Sequence, residues 1–146
     1  MAKLTFPLLA DGLRVDVVVG LDGATLTAQL KSGQPIPAPV TARGEIDTGS
    51  NITAVATAIL RQLGVVPQYQ STTQTAAGQL AVDVYEVSVG VRNNADPAAA
   101  ELVEPTLLVM ELANPLPDLQ VLIGLNFLLG CRFHVDGPGR WFSLEQ

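Results

Sequence analysis

Along residues 13–19, L-R-V-D-V-V-V, apolar side chains alternate in part with Arg14 and Asp16, the two-residue period of a half-buried strand. The turn G-L-D-G at 20–23 follows, and A-T-L-T-A-Q-L at 24–30 reads as the second arm of a hairpin. Residues 31–39, K-S-G-Q-P-I-P-A-P, predict a surface loop, because proline has no N–H to donate inside a sheet. Val40 to Asp47 reads as the next strand, and it runs into E-I-D-T-G-S-N-I at 45–52.

The best helical spacing lies at 54–63, A-V-A-T-A-I-L-R-Q-L. Val55, Ile59 and Leu63 share one face, Thr53 is available as a cap and Gly64 as a stop. Segments 68–75 and 80–89, joined by A-A-G-Q, predict a long hairpin with Gly78 at its tip. Residues 93–100 read as a surface loop, 106–110 as a strand and 119–124 as a short buried strand. A brief helix from Asn126 to Leu129 comes next. Residues 131–135 and 140–144 then pair around D-G-P-G. There is no repeat and no break in composition. The expectation is one domain over residues 1–146, all-β apart from one or two short helices.

Composition narrows the function classes. The chain is 48% hydrophobic and 15% charged with mean hydropathy +0.34, which suits a packed core and excludes a disordered tail. A net charge of −6 argues against nucleic acid, whose phosphates need clustered Lys and Arg. Cys131 is alone, so no internal disulfide forms. With His134 the only histidine, no metal site is expected. The N-terminal apolar run is too short for a secretory signal, and nothing approaches the ~20 apolar residues of a membrane span. A cytoplasmic protein without membrane contact is the expectation.

The chemistry concentrates at D-T-G-S, residues 47–50, where a strand delivers a carboxylate into a tight turn. Gly49 lets that turn fold closely and bring backbone N–H groups to the carboxylate, and Ser50 is in sequence reach to donate to it. Far downstream, V-L-I-G at 121–124 is a second glycine-terminated apolar strand followed by a short helix, and the long hairpin lies between the two. In that order the three elements resemble the retropepsin-like aspartic proteases, the single-domain relatives of pepsin, over about residues 13–146.

The resemblance implies a closed barrel assembled as a two-fold homodimer, with no cofactor. It implies Asp47, Thr48, Gly49 and Ser50 as the catalytic loop, Thr48 bonding across to its counterpart in the other subunit. Ala77 and Gly78 would form the flap tip and, with Asn51, meet substrate. Ile123, Gly124 and Asn126 would form the second structural motif. Only one D-T-G occurs, and Asp118 in N-P-L-P-D-L lacks a glycine turn, so one Asp47 from each subunit would make the dyad. The substrate would be a peptide or protein held in an extended conformation.

Three features depart from the family pattern. Glu45 stands two residues before the aspartate, where an apolar residue is usual, and would either pair with Arg43 or lie at the strand's exposed start. The ion pair of the viral members is replaced by the neutral Asn51 and Leu125, which points to a cellular or bacterial branch. The terminal hairpin also extends beyond the viral pattern. Other readings are an ordinary turn at Asp47, or a non-catalytic module of the same fold that binds peptides or dimerises. A Ser50–His134–Asp47 triad is poor, since no G-x-S-x-G elbow exists. His134 reads as a surface or edge residue, Cys131 as a core residue, and Trp141 and Phe142 as core or dimer contacts.

Overall fold

The computed structural model describes residues 2–146. Its frame is set by β2 (Arg14–Leu21), in which Val15, Val17 and Val19 are buried while Arg14, Asp16 and Val18 are only half-buried. That strand pairs antiparallel with β3 (Val40–Ile46) on one edge and with β6 (Gly78–Arg92) on the other. With β4 (Thr53–Ala56), β7 (Leu102–Leu112) and β8 (Val121–Ile123) the order runs β2-β3-β8-β4-β7-β6 and returns to β2. A six-stranded barrel is thereby closed, and closure removes sheet edges that would otherwise expose unpaired backbone. Its interior is filled mainly by valine, among them Val55, Val87, Val89, Val91, Val109 and Val121, each fully buried.

Four further strands complete the β structure of the described residues. β5 (Tyr69–Thr75) pairs only with the first half of β6, forming the expected hairpin, which projects from the barrel. A three-stranded sheet joins β1 (Lys3–Pro7), β10 (Trp141–Glu145) and β9 (Arg132–Asp136). Phe6 and Phe142 stack there at 5.0 Å between ring centres, and Phe133 meets Phe142 edge-on at 6.3 Å. Phe142 is buried, Trp141 is half-buried beside the exposed His134, and Cys131 packs against the core from a half-buried position. The strand β1 was not foreseen, since five residues with two buried side chains, Leu4 and Phe6, carry little periodic signal.

Among the described residues there are three helices where one or two were expected. The addition is α1 (Gly23–Ser32), which replaces the expected hairpin arm at 24–30. Asp22 decides this: its carboxylate accepts the N–H groups of Ala24 and Thr25 at 3.2 Å each, so G-L-D-G is a helix start and not a hairpin turn. β2 finds its partners instead in β3 and β6. The helix expected from residue 54 begins later, as α2 (Thr57–Leu63), because residues 53–56 are extended in β4. Thr53 therefore caps no helix; Ala56 stands at that position without a side-chain bond. Among the described residues no helix is long and apolar enough to cross a membrane.

Candidate active site

The strands β3 and β4 do not pair with each other. β8 lies between them, parallel to β3 and antiparallel to β4, and the turn at residues 47–52 passes from one to the other around its end. This arrangement forces two distant chain segments into one knot of hydrogen bonds. Asp47 donates its N–H to the Ile123 carbonyl at 2.9 Å. Leu125 and Asn126, opening α3 (Leu125–Leu128), donate theirs to the carbonyls of Ser50 at 2.8 Å and Asn51 at 3.1 Å. Gly124 is a steric requirement here, since a Cβ would lie 2.7 Å from the Ile52 carbonyl carbon and oxygen and 2.9 Å from the Ser50 oxygen.

Asn126 secures the knot. Its Oδ1 accepts both the N–H and the hydroxyl of the buried Thr53, and its Nδ2 donates to the Leu108 carbonyl at 2.7 Å. The Thr53 hydroxyl in turn accepts the Gly124 N–H at 3.1 Å.

Within this frame Asp47 is half-buried, and its Oδ1 accepts the Gly49 N–H at 3.0 Å. The backbone contact expected of the glycine turn is therefore present. The expected Ser50 contact is not. Its hydroxyl donates to the Ile52 carbonyl at 2.6 Å, bracing the turn from within and leaving the carboxylate untouched. Thr48 is exposed. Glu45 likewise differs from expectation: it meets Arg14, with Oε2 3.4 Å from Nε, whereas Arg43 is taken by Asp16 at 2.7 Å. Strand pairing explains the exchange, because Arg14 lies directly opposite Glu45 and Asp16 opposite Arg43.

A cavity of about 660 Å³ opens in front of the turn. Asp47, Gly49, Ser50 and Asn51 line one side, and the exposed polar arm Ser71–Thr75 of the hairpin lines the other. Val82, Val84, Met110, Leu112 and Leu122 supply apolar surface between them. Thr48, Ala77 and Gly78 do not line it. The tip residues stand further out, where Gly78 has φ +115° with nothing within 4 Å of a Cβ position. The Thr75 hydroxyl donates to the Gly78 carbonyl at 2.8 Å and accepts the Ala77 N–H at 3.2 Å. Ile123 is buried behind the turn, and Gly124 and Asn126 hold it.

Sequence reasoning missed the hairpin stem and Glu111 as cavity residues. The alternation in Q-Y-Q-S-T-T-Q-T is polar on both faces, and an isolated glutamate near a strand end has no motif to mark it. Among the described residues no group of three His, Cys, Asp or Glu side chains is placed to hold a metal ion.

No family model matches the chain, and no curated protein matches it by sequence. Among solved structures, a retropepsin-like aspartic protease from Rickettsia conorii superposes with a TM-score of 0.61 over 97% of this chain and 89% of its own, at 15% identity. The solution structure of the simian foamy virus (mac) protease aligns at 0.45 over 80% of this chain and 91% of its own, at 16% identity. The first of these, with the closed barrel and the knot at β8, makes this a retropepsin-like fold.

Proposed function

We propose that the chain is an aspartic endopeptidase whose working unit is a homodimer, with one Asp47 from each copy forming the catalytic pair. The observation that carries this reading is the placement of Asp47: half-buried, braced by the Gly49 N–H, and facing a cavity walled by a projecting hairpin. One such carboxylate per chain is half of what the chemistry requires, and two-fold symmetry supplies the other half.

Two carboxylates brought close resist double ionisation and share one proton. The ionised partner takes a proton from a water as its oxygen attacks the scissile carbonyl carbon. The protonated partner gives its proton to the carbonyl oxygen, leaving a tetrahedral diol. As the diol collapses, one of its hydroxyls returns a proton to the ionised carboxylate, the C–N bond breaks, and the leaving nitrogen takes the proton held by the other carboxylate, which restores the pair. Thr48 and Gly49 hold the loop, with Thr48 exposed for contact with its counterpart in the partner. The hairpin with Ala77 and Gly78 at its tip closes over an extended peptide, and Asn51 offers that peptide a polar contact. Glu45, the residue that favours a non-catalytic module, is engaged by Arg14 and does not line the cavity.

The test is hydrolysis of a mixed peptide library on the acidic side of neutrality, by the parent chain and by Asp47→Asn, with and without a pepstatin-type inhibitor. Cleavage by the parent that the inhibitor and the substitution both abolish is expected. Unaltered cleavage by Asp47→Asn would sink the proposal.

A further inference from the structure

Glu111 sits near the end of β7, on the wall of the same cavity. Its Oε1 accepts the Asp83 N–H at 3.1 Å, which fixes the carboxylate against the root of the hairpin. Among the described residues no Lys, Arg or His forms an ion pair with it. Among the described residues Asp47 and Glu111 are the only carboxylates lining the cavity, and no Lys, Arg or His lines it. Tyr85, buried on β6, carries the imprint of this charge. Burial pushes its phenol above the usual range, Glu111 and then Asp83 add to the rise, and Arg61 opposes them.

A half-buried carboxylate with one backbone hydrogen bond and no cation at ion-pair distance has room for a ligand cation to pair with it. Met110 and Leu112, half-buried and lining the same cavity, offer apolar surface of the kind that accepts the methylene stem of a long basic side chain. We infer that Glu111 makes this cavity select a lysine or arginine at one substrate position. The inference rests on the reading that an extended peptide occupies the cavity. Glu111 is then a specificity-determining residue that leaves the bond-breaking step to Asp47.

The experiment uses a panel of short peptides in which each position in turn carries lysine or norleucine, its uncharged near-isostere. Two quantities are read: kcat/KM for cleavage, and Kd from fluorescence anisotropy with uncleavable hydroxyethylene versions. Lysine should be preferred about five- to tenfold at one position, the range for a partly exposed charge pair in a cleft. Glu111→Gln keeps the acceptor for Asp83 and removes the charge, so it should bring the ratio close to unity, with a thermal melt confirming its fold. Raising the salt should shrink the parent's preference and needs no variant.

A parent without lysine preference in either measurement would overturn the inference, as would a preference that Glu111→Gln leaves intact. Selective binding of lysine peptides with no cleavage would retire the peptidase reading and sustain this one. Cleavage without any basic preference would do the reverse.

Discussion

Asn126 is bonded twice to Thr53, 73 positions away, accepting its N–H at 2.9 Å and its hydroxyl at 2.8 Å. Thr53 is fully buried, so neither donor has water to turn to if Asn126 is lost. Asn126→Ala should cost about 2–6 kcal/mol, since each of the two buried donors left unpaired costs roughly 1–3. Asn126→Asp keeps the acceptor and gives up only the donor to the Leu108 carbonyl, so its loss should be smaller. Urea unfolding of the two variants measures the difference, and equal losses would show that the acceptor is not what matters.

Ser50→Ala should leave the acidic limb of the pH–rate profile where it is, because the hydroxyl serves the Ile52 carbonyl and not the Asp47 carboxylate. The cost should appear in stability instead, at about 1 kcal/mol for one internal hydrogen bond. A profile recorded beside an unfolding curve separates the two. A displaced limb would mean that the hydroxyl turns to the carboxylate in solution.

The two glycines singled out by the sequence should behave oppositely. Gly124→Ala drives a Cβ into backbone at Ile52 and Ser50, which cannot yield as a side chain would, and about 3 kcal/mol or more of stability should be lost. Gly78→Val meets nothing, and its penalty is the strain of a left-handed φ at an exposed tip, roughly 1–2 kcal/mol and confined to the hairpin. Its melting temperature should hardly move while peptide hydrolysis falls. Comparable melting losses in both variants would contradict this.

The barrel strands and the D-T-G-S turn were legible because both carry strong local signals, valine alternation in one case and a carboxylate beside glycine in the other. The retropepsin-like barrel itself followed from the order of three such signals. What escaped was set by groups outside the local pattern. Asp22 converts residues 23–32 from a plausible strand into a helix through two hydrogen bonds. Asn126 draws Thr53 away from the capping role its position suggests. The Ser50 hydroxyl had two acceptors within reach, the carboxylate and a carbonyl two residues on, and only the conformation of the turn chooses between them. Arg14 rather than Arg43 engages Glu45 because pairing register, unknown from sequence, puts it opposite.

Burial, and secondarily the charge of Glu104, raises the Cys131 thiol from 9.0 to about 11. In the unfolded chain the thiol ionises near 9.0, so the folded chain holds more protons between the two values. The contribution to stability is therefore present below about 9 and declines as the pH rises toward about 11. Cys131→Ala should flatten that decline without abolishing it, since Tyr85 is raised too and acts with the same sign. Unfolding curves across this window check the slope. A decline identical in parent and variant would remove Cys131 from it.

If one carboxylate comes from each copy, activity per chain should fall on dilution and return on concentration. Mixing the parent with an excess of Asp47→Asn should lower activity beyond dilution, because mixed dimers hold one working carboxylate. Sedimentation run beside the assay reads both. Full activity from a strictly monomeric species would refute the paired arrangement.

β6 belongs to two structures at once, and its mechanics follow from where it changes allegiance. From Val84 onward it is held in the barrel by β7 and, further along, by β2, while residues 78–83 have only β5 beside them. The carboxylate of Glu111 takes the Asp83 N–H just where the ladder with β7 begins. The overhang is a lever with its fulcrum at that bond, roughly 20 Å long at ~3.3 Å per residue, so a tilt of about 10° carries its tip about 3–4 Å. No ladder hydrogen bond of the barrel need break during that swing.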